Sequence, residues 1–320
     1  MKPKILVTRK IFPETLNFLK KHAECEIGLS DRSLRKNEIK SKIKDKQGLF
    51  CLLTDRVDKE VIDSAPDLKI ISNCAVGYDN IDIEYAKTKN ILVTNTPGIL
   101  TETTADLTWA LIFSVARRIP EADKFVRANK YKGWELDLFL GKEITGKQLG
   151  IIGMGRIGKA VARKALAFNL NTVYTDPKHL SSKEEKSLNA SFLPLDRLLS
   201  SSDIITIHTI LSPDTHHLIS KERISLLKKE AIIINVARGP IIDEDSLAEA
   251  LKNKRIWGAG LDVYEREPSI NKKLLTLKNV VLLPHIGSAT IETRLKMANI
   301  AAHNLVQGIS GKKPDNLIPF

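Results

Sequence analysis

Three polar side chains follow successive predicted strands in the second half of the chain. They are Arg238, Glu267 and His285. A guanidinium binds a carboxylate through two parallel hydrogen bonds, and an imidazole transfers protons near neutral pH. A carboxylate beside the imidazole orients the ring and favours its protonated form. Because the carboxyl ends of parallel strands meet at one edge of a sheet, we expect the three groups to form one site. Their chemistry suits the protonation of a carbonyl on a substrate that carries a carboxylate.

Each of these residues, taken singly, has a plainer interpretation. An Arg after a strand usually forms a surface salt bridge, a Glu before Pro usually lies in a solvated loop, and a His after Pro usually occupies a turn. Glu265 lies near Glu267 in the sequence and is a competing partner for the imidazole. The functional hypothesis therefore depends on a second motif upstream.

That motif is a glycine-rich turn, Gly153–Gly158 (GMGRIG), which follows an apolar strand and opens a helix. In a dinucleotide-binding turn, Gly153 permits the tight bend, Gly155 lets the pyrophosphate approach the backbone, and Gly158 lets helix and strand pack closely. The helix N terminus then faces the phosphates, and Arg156 adds a positive charge. An ordinary strand-to-helix turn is the alternative.

Asp176 ends the next predicted strand, close to the separation of about 20 residues expected for the ribose ligand. A carboxylate there accepts hydrogen bonds from the ribose hydroxyls and repels a 2′-phosphate. The sequence therefore predicts NAD(H) in preference to NADP(H), although Lys178 is close enough to soften the preference. With this cofactor, the three polar residues predict hydride transfer to the carbonyl of a 2-oxo acid.

Composition excludes several other classes of protein. The net charge of +12 is compatible with nucleic acid, a membrane surface or an anionic small molecule. The basic residues are scattered, however, and their densest stretch (32–46) has no aromatic residue on which a base could stack, so no nucleic-acid partner is predicted. The three cysteines are far apart and the other histidines lack partners at ligand spacing, so no metal site is predicted. No apolar run is long enough for a signal peptide or a membrane span, which predicts no membrane partner and a cytoplasmic protein.

Short apolar runs alternate with helical stretches along almost the whole chain, a pattern that predicts parallel sheets. The predicted strands are 4–8, 49–54, 69–74, 90–94, 149–153, 172–174, 204–208, 231–235, 258–263 and 280–283. The last six match the six strands of a doubly wound dinucleotide-binding sheet. The predicted fold class is therefore α/β, with two doubly wound Rossmann-like domains.

The helical pattern at 101–118 leads out of the first series of strands. The pattern at 289–309 follows a complete sheet and needs a partner, so we expect it to return to the first domain. We therefore predict a discontinuous, flavodoxin-like substrate domain (1–99 plus 289–320) and a dinucleotide-binding Rossmann domain (100–288). The chain would then cross between the domains twice, with a cleft at the crossing.

From end to end the sequence resembles the D-isomer-specific 2-hydroxyacid dehydrogenase family, and within it the glyoxylate/hydroxypyruvate reductases most. The segments that carry the resemblance are Gly153–Gly158, Asn235–Gly239 (NVARG), Leu261–Pro268 (LDVYEREP), Pro284–Thr290 (PHIGSAT), Ala75–Asp82 (AVGYDNID) and Thr96–Asp106 (TPGILTETTAD). The resemblance implies that Arg238, Glu267 and His285 are the catalytic residues. It also implies that the backbone N–H groups of Val76 and Gly77 bind the substrate carboxylate together with Arg238, next to His285.

The resemblance also implies contacts to the cofactor. Thr104 would touch it, and Asp262 would hold the nicotinamide carboxamide. The full predicted cofactor site consists of Thr104, Gly153, Gly155, Arg156, Ile157, Gly158, Asp176, Val236, Asp262 and Gly287. Reductases of this kind that use NADPH often carry Arg or Ser near the ribose, and Asp176 departs from that pattern. A homodimer joined through the nucleotide-binding domains is implied as well.

The predicted activity is therefore NAD(H)-dependent reduction of glyoxylate or hydroxypyruvate to the D-2-hydroxy acid, with His285 as the proton donor. A non-enzymatic NAD-sensing scaffold of the corepressor type is an alternative, against which the complete set of three catalytic residues argues. Phosphoglycerate and phosphite dehydrogenases are alternatives within the enzyme class. The positive net charge leaves a phosphorylated substrate open.

Overall fold

The computed structural model describes residues 2–28 and 32–319. Its strands are β1 (Lys4–Val7), β2 (Glu24–Ile27), β3 (Gly48–Cys51), β4 (Ile70–Asn73), β5 (Leu92–Thr94), β6 (Gln148–Ile152), β7 (Asn171–Thr175), β8 (Ala190–Phe192), β9 (Ile204–Ile207), β10 (Ile232–Asn235), β11 (Gly258–Leu261) and β12 (Val280–Leu282). Its α-helices are α1 (Pro13–His22), α2 (Lys36–Lys42), α3 (Lys59–Asp63), α4 (Ile83–Thr88), α5 (Thr101–Ala116), α6 (Ile119–Arg127), α7 (Arg156–Ala165), α8 (Ser182–Leu188), α9 (Leu195–Ser201), α10 (Lys221–Leu226), α11 (Glu244–Lys252), α12 (Lys272–Leu275) and α13 (Ile291–Ile309). None of the helices in these ranges is long and apolar enough to cross a membrane.

The chain divides into two compact units. The first consists of Met1–Leu100 and Ser288–Phe320, and the second of Thr101–Gly287. The predicted domain limits differ from these by one residue at each junction. Residues 1, 29–31 and 320 of the predicted substrate domain lie outside the described residues.

The first unit is built on a five-stranded sheet in the order β2-β1-β3-β4-β5, and every strand pair is parallel. This is the flavodoxin-like strand order. Successive residues of β1 point to opposite faces, so Ile5 packs into one hydrophobic core and Leu6 into the other. Because both faces of the sheet are covered, its inner strands β1, β3 and β4 are buried along almost their whole length and are mainly apolar.

The C-terminal helix α13 completes the core on one face of this first sheet. It begins after Thr290, whose side chain accepts a hydrogen bond from the Thr293 N–H as an N-cap. Its buried residues include Ala301 and Leu305, which pack with Ile70 of β4. The helix therefore belongs to the first unit.

The second unit is built on a seven-stranded sheet in the order β12-β11-β10-β9-β6-β7-β8, again parallel throughout. Helices cover both faces, with α5 and α7 on one and α11 on the other. The direction of winding reverses between β6 and β9, which lie side by side. In such sheets, ligands bind outside the carboxyl ends of the strands at this point of reversal. The fold is thus the predicted pair of doubly wound domains.

Two strands are missing from the sequence prediction, and both are edge strands. β2 (ECEI) is half-exposed along its length and β8 (ASF) has a single fully buried residue. A strand with one neighbour needs no continuous apolar run, so the pattern that marks the inner strands does not mark these two. The second sheet consequently has seven strands and not the predicted six.

Candidate active site

Three neighbouring strands of the second sheet end beside one another and lead into loops that carry polar side chains. Arg238 follows β10, Glu267 lies in the loop after β11, and His285 follows β12. The strands are adjacent in the order β10-β11-β12 and run parallel, so their loops start from the same edge of the sheet. The topology thus brings the three predicted residues to one place.

The closest contact in this group joins the imidazole of His285 to the carboxylate of Glu267. The distance from His285 Nδ1 to Glu267 Oε2 is 2.9 Å. The other carboxylate oxygen, Oε1, accepts a hydrogen bond from the backbone N–H of Tyr264 at 3.0 Å. With Nδ1 bonded to the carboxylate, Nε2 is the ring nitrogen that remains for proton transfer.

The electrostatics of Glu267 follow from burial and from its neighbours. Burial alone would raise the pKa of Glu267. The hydrogen bond from His285, the charge of that imidazole and the charge of Arg238 outweigh it and hold the pKa of Glu267 below its usual range. The carboxylate is therefore ionised at neutral pH, when it can accept the Nδ1 hydrogen of His285.

Arg238 lies in a turn that its neighbours hold tightly. Asn235 donates from Nδ2 to the Arg238 carbonyl at 2.9 Å, and its Oδ1 accepts the Ala237 N–H at 3.0 Å. A Cβ on the next residue, Gly239, would lie 1.8 Å from the Tyr264 carbonyl carbon, so only glycine allows this turn to approach the loop after β11. The glycine of the NVARG segment thus brings the arginine turn against the Glu267 loop.

Asp262, at the end of β11, fixes the loop that carries His285. Its backbone carbonyl accepts the His285 N–H at 2.9 Å, and its carboxylate oxygens accept the N–H groups of Ile286 and Gly287, each at 2.7 Å. Burial raises the pKa of Asp262, although these hydrogen bonds and the charge of His285 oppose that rise. Thr104 donates to the Gly287 carbonyl at 3.1 Å. Two residues predicted to touch the cofactor therefore also hold the histidine loop.

His285 has a backbone φ of 55°, in the left-handed region that few non-glycine residues adopt. This conformation is constrained by Asp262, which accepts hydrogen bonds from the N–H groups of His285 and of the two residues that follow it. Such backbone geometry is frequent where a side chain must point in one fixed direction for function.

The competing carboxylate, Glu265, has a different partner. Its Oε1 lies 3.3 Å from His217 Nε2, and its N–H donates to Glu244 at 2.8 Å. The structure therefore brings Glu267, and not Glu265, to His285. Sequence reasoning missed Tyr264, whose N–H holds Glu267 and whose hydroxyl donates to the Leu283 carbonyl at 2.8 Å. The position of Tyr264 shortly after β11, between Asp262 and Glu267, was the one feature of the sequence that could have indicated this role.

The glycine-rich turn between β6 and α7 has the features expected of an anion-binding site. Gly153 has a φ of 94°, and a Cβ on Gly158 would lie 2.1 Å from the Gly153 carbonyl oxygen. A Cβ on Gly155, by contrast, would meet no other atom of the described chain within 4 Å. Helix α7 begins at Arg156 with no side-chain cap and no acidic residue in its first turn. Open space and unneutralised N–H groups together fit a phosphate.

Asp176 follows β7 beside this turn. Its Oδ2 accepts the Met154 N–H and its Oδ1 accepts the Lys178 N–H, both at 2.8 Å. Each carboxylate oxygen has a further lone pair with which it can accept a hydroxyl hydrogen. The residue therefore orders the glycine turn, a structural role that the sequence did not indicate.

His208, one of the histidines that have no partner at ligand spacing in the sequence, lies directly behind the turn. Its backbone closes over Gly153, where a Cβ would lie 2.7 Å from the His208 carbonyl carbon. Neither ring nitrogen has a hydrogen-bond partner among the described residues, and burial lowers the pKa of His208 to about 3. The ring is therefore neutral in the folded protein over the physiological pH range.

The predicted carboxylate-binding residues of the first unit lie in the loop that follows β4. The N–H groups of Val76 and Gly77 donate to no acceptor within residues 2–28 and 32–319. The preceding carbonyls are occupied, because Ala75 accepts the Thr96 N–H at 2.9 Å and Val76 accepts Asn95 Nδ2 at 2.8 Å. Successive unpaired N–H groups in a loop suit an anion.

Across the described residues, no group of three or more His, Cys, Asp or Glu side chains is arranged to hold a metal ion.

Comparisons with known proteins place this geometry in a family. The sequence model of the D-isomer specific 2-hydroxyacid dehydrogenase, NAD binding domain, matches residues 109–287. A glyoxylate reductase of Thermococcus onnurineus (strain NA1) is 44% identical over 322 residues, covering 99% of this chain and 96% of that protein. The chain belongs to the D-isomer-specific 2-hydroxyacid dehydrogenase family. As a 2-hydroxyacid dehydrogenase it is an oxidoreductase, and its second unit contains the family's domain for a nicotinamide cofactor.

Solved structures of similar proteins agree with this assignment. The TT0316 protein of Thermus thermophilus is 42% identical, with a TM-score of 0.90 over 99% of this chain and 100% of that one. An NADPH-dependent glyoxylate/hydroxypyruvate reductase of Sinorhizobium meliloti, in complex with NADP and malonate, is 30% identical. It has a TM-score of 0.88, with 99% of this dehydrogenase and 97% of that chain covered.

The glycine turn generates a test with two matched substitutions. Gly155→Ala should leave the free energy of unfolding within about 1 kcal/mol of the wild type, because its Cβ meets no protein atom. It should nevertheless weaken NADH binding by about tenfold or more, since the methyl group occupies the space open to the phosphates. Gly158→Ala should instead cost about 1–3 kcal/mol of stability through its clash with Gly153. Urea unfolding and fluorescence titration with NADH measure both quantities, and unchanged NADH affinity in Gly155→Ala would contradict the assignment of the turn.

His208 generates a pH test of stability. Its pKa of about 3 in the folded protein lies below the 6.5 of an exposed imidazole, so between these values the unfolded chain binds a proton that the folded chain does not. Stability should therefore fall as the pH falls from 6.5, by about 1.4 kcal/mol per pH unit for this residue. Urea unfolding of the second unit at pH 7 and pH 5 should show a loss about 2 kcal/mol larger in the wild type than in His208→Asn. Equal losses in the two proteins would refute the burial of a neutral ring.

Proposed function

We propose that this dehydrogenase uses NAD(H) to reduce glyoxylate or hydroxypyruvate to the D-2-hydroxy acid. The hydrogen bond between His285 and Glu267, with the Arg238 turn packed against the same loop, is the observation that carries the proposal. It joins an ionised carboxylate to an imidazole at the carboxyl edge of the dinucleotide-binding sheet, where the ligands of such sheets bind.

His285 is the proposed proton donor. When bound, NADH supplies the hydride that forms the new C–H bond at the carbonyl carbon. His285 transfers the proton on Nε2 to the carbonyl oxygen, which completes the hydroxyl group. Glu267 stabilises the positive charge of the ring before transfer and holds Nδ1 in its protonated form afterwards. In the oxidation direction the same nitrogen accepts the proton.

Arg238 and the loop after β4 are the proposed binding groups for the substrate. The guanidinium binds the carboxylate of the 2-oxo acid and stabilises negative charge as it develops on the carbonyl oxygen. The N–H groups of Val76 and Gly77 would bind the same carboxylate. Both are half-exposed and unpaired within the described chain, as an anion-binding pair must be.

The remaining proposed contacts involve the cofactor. Gly153–Gly158 would hold the pyrophosphate of the cofactor, and Asp176 would bind its ribose. Asp262 would bind the nicotinamide carboxamide, and Thr104 would also touch the cofactor. The other members of the proposed site are Ile157, Val236 and Gly287. Family membership does not decide between NAD and NADP, since the Sinorhizobium meliloti relative is NADPH-dependent. The carboxylate of Asp176 supports NAD(H), because it would repel a 2′-phosphate.

The proton-donor assignment predicts a selective loss of activity. His285→Ala should reduce turnover of glyoxylate by about 10²- to 10⁴-fold, the usual contribution of a general acid, and leave NADH affinity close to that of the wild type. The control is His303→Ala, which changes an exposed histidine of the first unit and should retain full turnover. Near-normal turnover in His285→Ala would show that another group supplies the proton.

A panel of substrates tests the proposed activity itself. The wild-type protein should oxidise NADH faster than NADPH. The panel of acceptors consists of glyoxylate, hydroxypyruvate, pyruvate and 3-phosphohydroxypyruvate, and one of the first two should be reduced fastest. Preference for the phosphorylated acceptor would favour a phosphoglycerate dehydrogenase, and phosphite-dependent reduction of NAD⁺ a phosphite dehydrogenase. Inertness towards the whole panel would favour the NAD-sensing scaffold.

We further propose that the enzyme is a homodimer and works in the cytoplasm. Six large apolar side chains on α6 and the residues that follow it are at least half exposed: Ile119, Val126, Tyr131, Trp134, Leu136 and Leu140. An exposed apolar group of this size on the nucleotide-binding unit suits a contact with a second copy. The cysteines Cys25, Cys51 and Cys74 are free thiols, which suits a reducing compartment.

The dimer proposal predicts a change of mass in solution. By light scattering, the wild type should have twice the chain mass of 35.7 kDa, whereas Trp134→Glu combined with Leu136→Glu should have the mass of one chain. Leu275→Glu alters an exposed leucine elsewhere on the second unit and serves as the control that should stay dimeric. A monomeric wild type at micromolar concentration would refute the proposal.

A further inference from the structure

The loop after β4 is fixed through its carbonyl groups and not through its N–H groups. Ala75 O accepts the Thr96 N–H at 2.9 Å, Val76 O accepts Asn95 Nδ2 at 2.8 Å, and Gly77 O accepts Asn73 Nδ2 at 2.9 Å. Three consecutive carbonyls are therefore bonded inside the first unit. The loop is ordered although it has no helix or strand of its own.

The planarity of the peptide bond converts these contacts into directions for N–H groups. In a trans peptide the N–H of one residue points opposite to the carbonyl of the residue before it. The bond to Ala75 O thus sets the direction of the Val76 N–H, and the bond to Val76 O sets that of the Gly77 N–H. The first depends on a backbone donor, whereas the second depends on the side chain of Asn95.

Asn95 is itself held from both sides by the C-terminal part of the first unit. Its N–H donates to the Asn316 carbonyl at 3.3 Å, and its carbonyl accepts Asn304 Nδ2 at 3.3 Å. Asn316 Nδ2 donates in turn to Asn304 Oδ1 at 3.2 Å. The C-terminal segment, which includes α13, therefore holds Asn95, and Asn95 in turn holds the loop after β4.

From this chain of contacts we propose that Asn95 is a positioning residue for the substrate carboxylate. Its side-chain amide holds the Val76 carbonyl and so aims the Gly77 N–H at the carboxylate of the 2-oxo acid. The inference rests on the proposed function, because it assumes that the substrate carboxylate binds this loop. Neither Asn95 nor the C-terminal segment that holds it would touch the substrate, but both would determine how tightly the substrate binds.

The substitution Asn95→Asp tests the proposal with almost no change of shape. A carboxylate cannot donate to the Val76 carbonyl and repels it, so the Gly77 N–H loses its direction. We expect the KM for glyoxylate and the dissociation constant of oxalate, as a dicarboxylate probe of the NADH complex, to rise by about 10- to 100-fold. The contact with the carboxylate is made equally in the bound substrate and in the transition state, so kcat should fall much less than KM rises. The dissociation constant of NADH should stay within about twofold.

A second variant and a pH series separate positioning from general damage. Asn37→Asp adds the same charge at an exposed site in the first unit and should leave KM unchanged. Lowering the pH protonates the carboxyl group introduced by Asn95→Asp, which restores a donor and should recover part of the oxalate affinity in that variant alone. If Asn95→Asp fails to fold, Asn95→Ala is measured instead, with the same expected rise in KM.

The outcomes distinguish this inference from the proposed function. A wild-type protein inert towards every 2-oxo acid would overturn the proposed function, and the inference with it. An active wild type together with an unchanged KM and unchanged oxalate affinity in the Asn95 variant would overturn the inference alone. An equal fall of kcat and NADH affinity in that variant would also overturn it, because it would indicate general damage.

Discussion

The hydrogen bond between His285 Nδ1 and Glu267 Oε2 is the interaction on which the proposed chemistry depends. It exists because β11 and β12 are neighbouring parallel strands whose carboxyl ends deliver the two side chains to one edge of the sheet. Asp262 then fixes the histidine loop through backbone N–H groups, and Tyr264 fixes the glutamate from its other side. A bond of this kind determines which ring nitrogen exchanges protons, so the contacts that hold the two side chains set the orientation in which the imidazole is proposed to act.

Two different kinds of rigidity support the proposed site. In the second unit, carboxylates hold N–H groups: Asp262 fixes the histidine loop, and Asp176 holds the glycine turn through Met154. In the first unit, asparagine side chains hold carbonyls and leave N–H groups available. In the loop after β4, the N–H groups of Val76 and Gly77 are not used for the loop's own structure, so its order comes from bonds to its carbonyls.

The inner strands, the glycine turn and the three residues Arg238, Glu267 and His285 could be predicted from the sequence. The strands, the turn, Arg238 and His285 depend on local patterns, whereas the choice of Glu267 over Glu265 depends on the resemblance to the family. The edge strands β2 and β8 could not be predicted, because exposure on one side removes the apolar signal. The tether from Asn95 to Val76 and the support from Asn304 join distant parts of the chain, which no local pattern reveals.

The tautomer of His285 is the most direct measure of the central interaction. In ¹⁵N NMR spectra of protein labelled at its histidine rings, the His285 signals can be assigned by their absence from a His285→Asn sample. If Glu267 accepts the Nδ1 hydrogen, the Nδ1 signal should keep the chemical shift of a protonated nitrogen throughout the titration, and only Nε2 should lose its proton as the pH rises. A titrating Nδ1 beside a permanently protonated Nε2 would contradict this arrangement and, with it, the proposed proton donor.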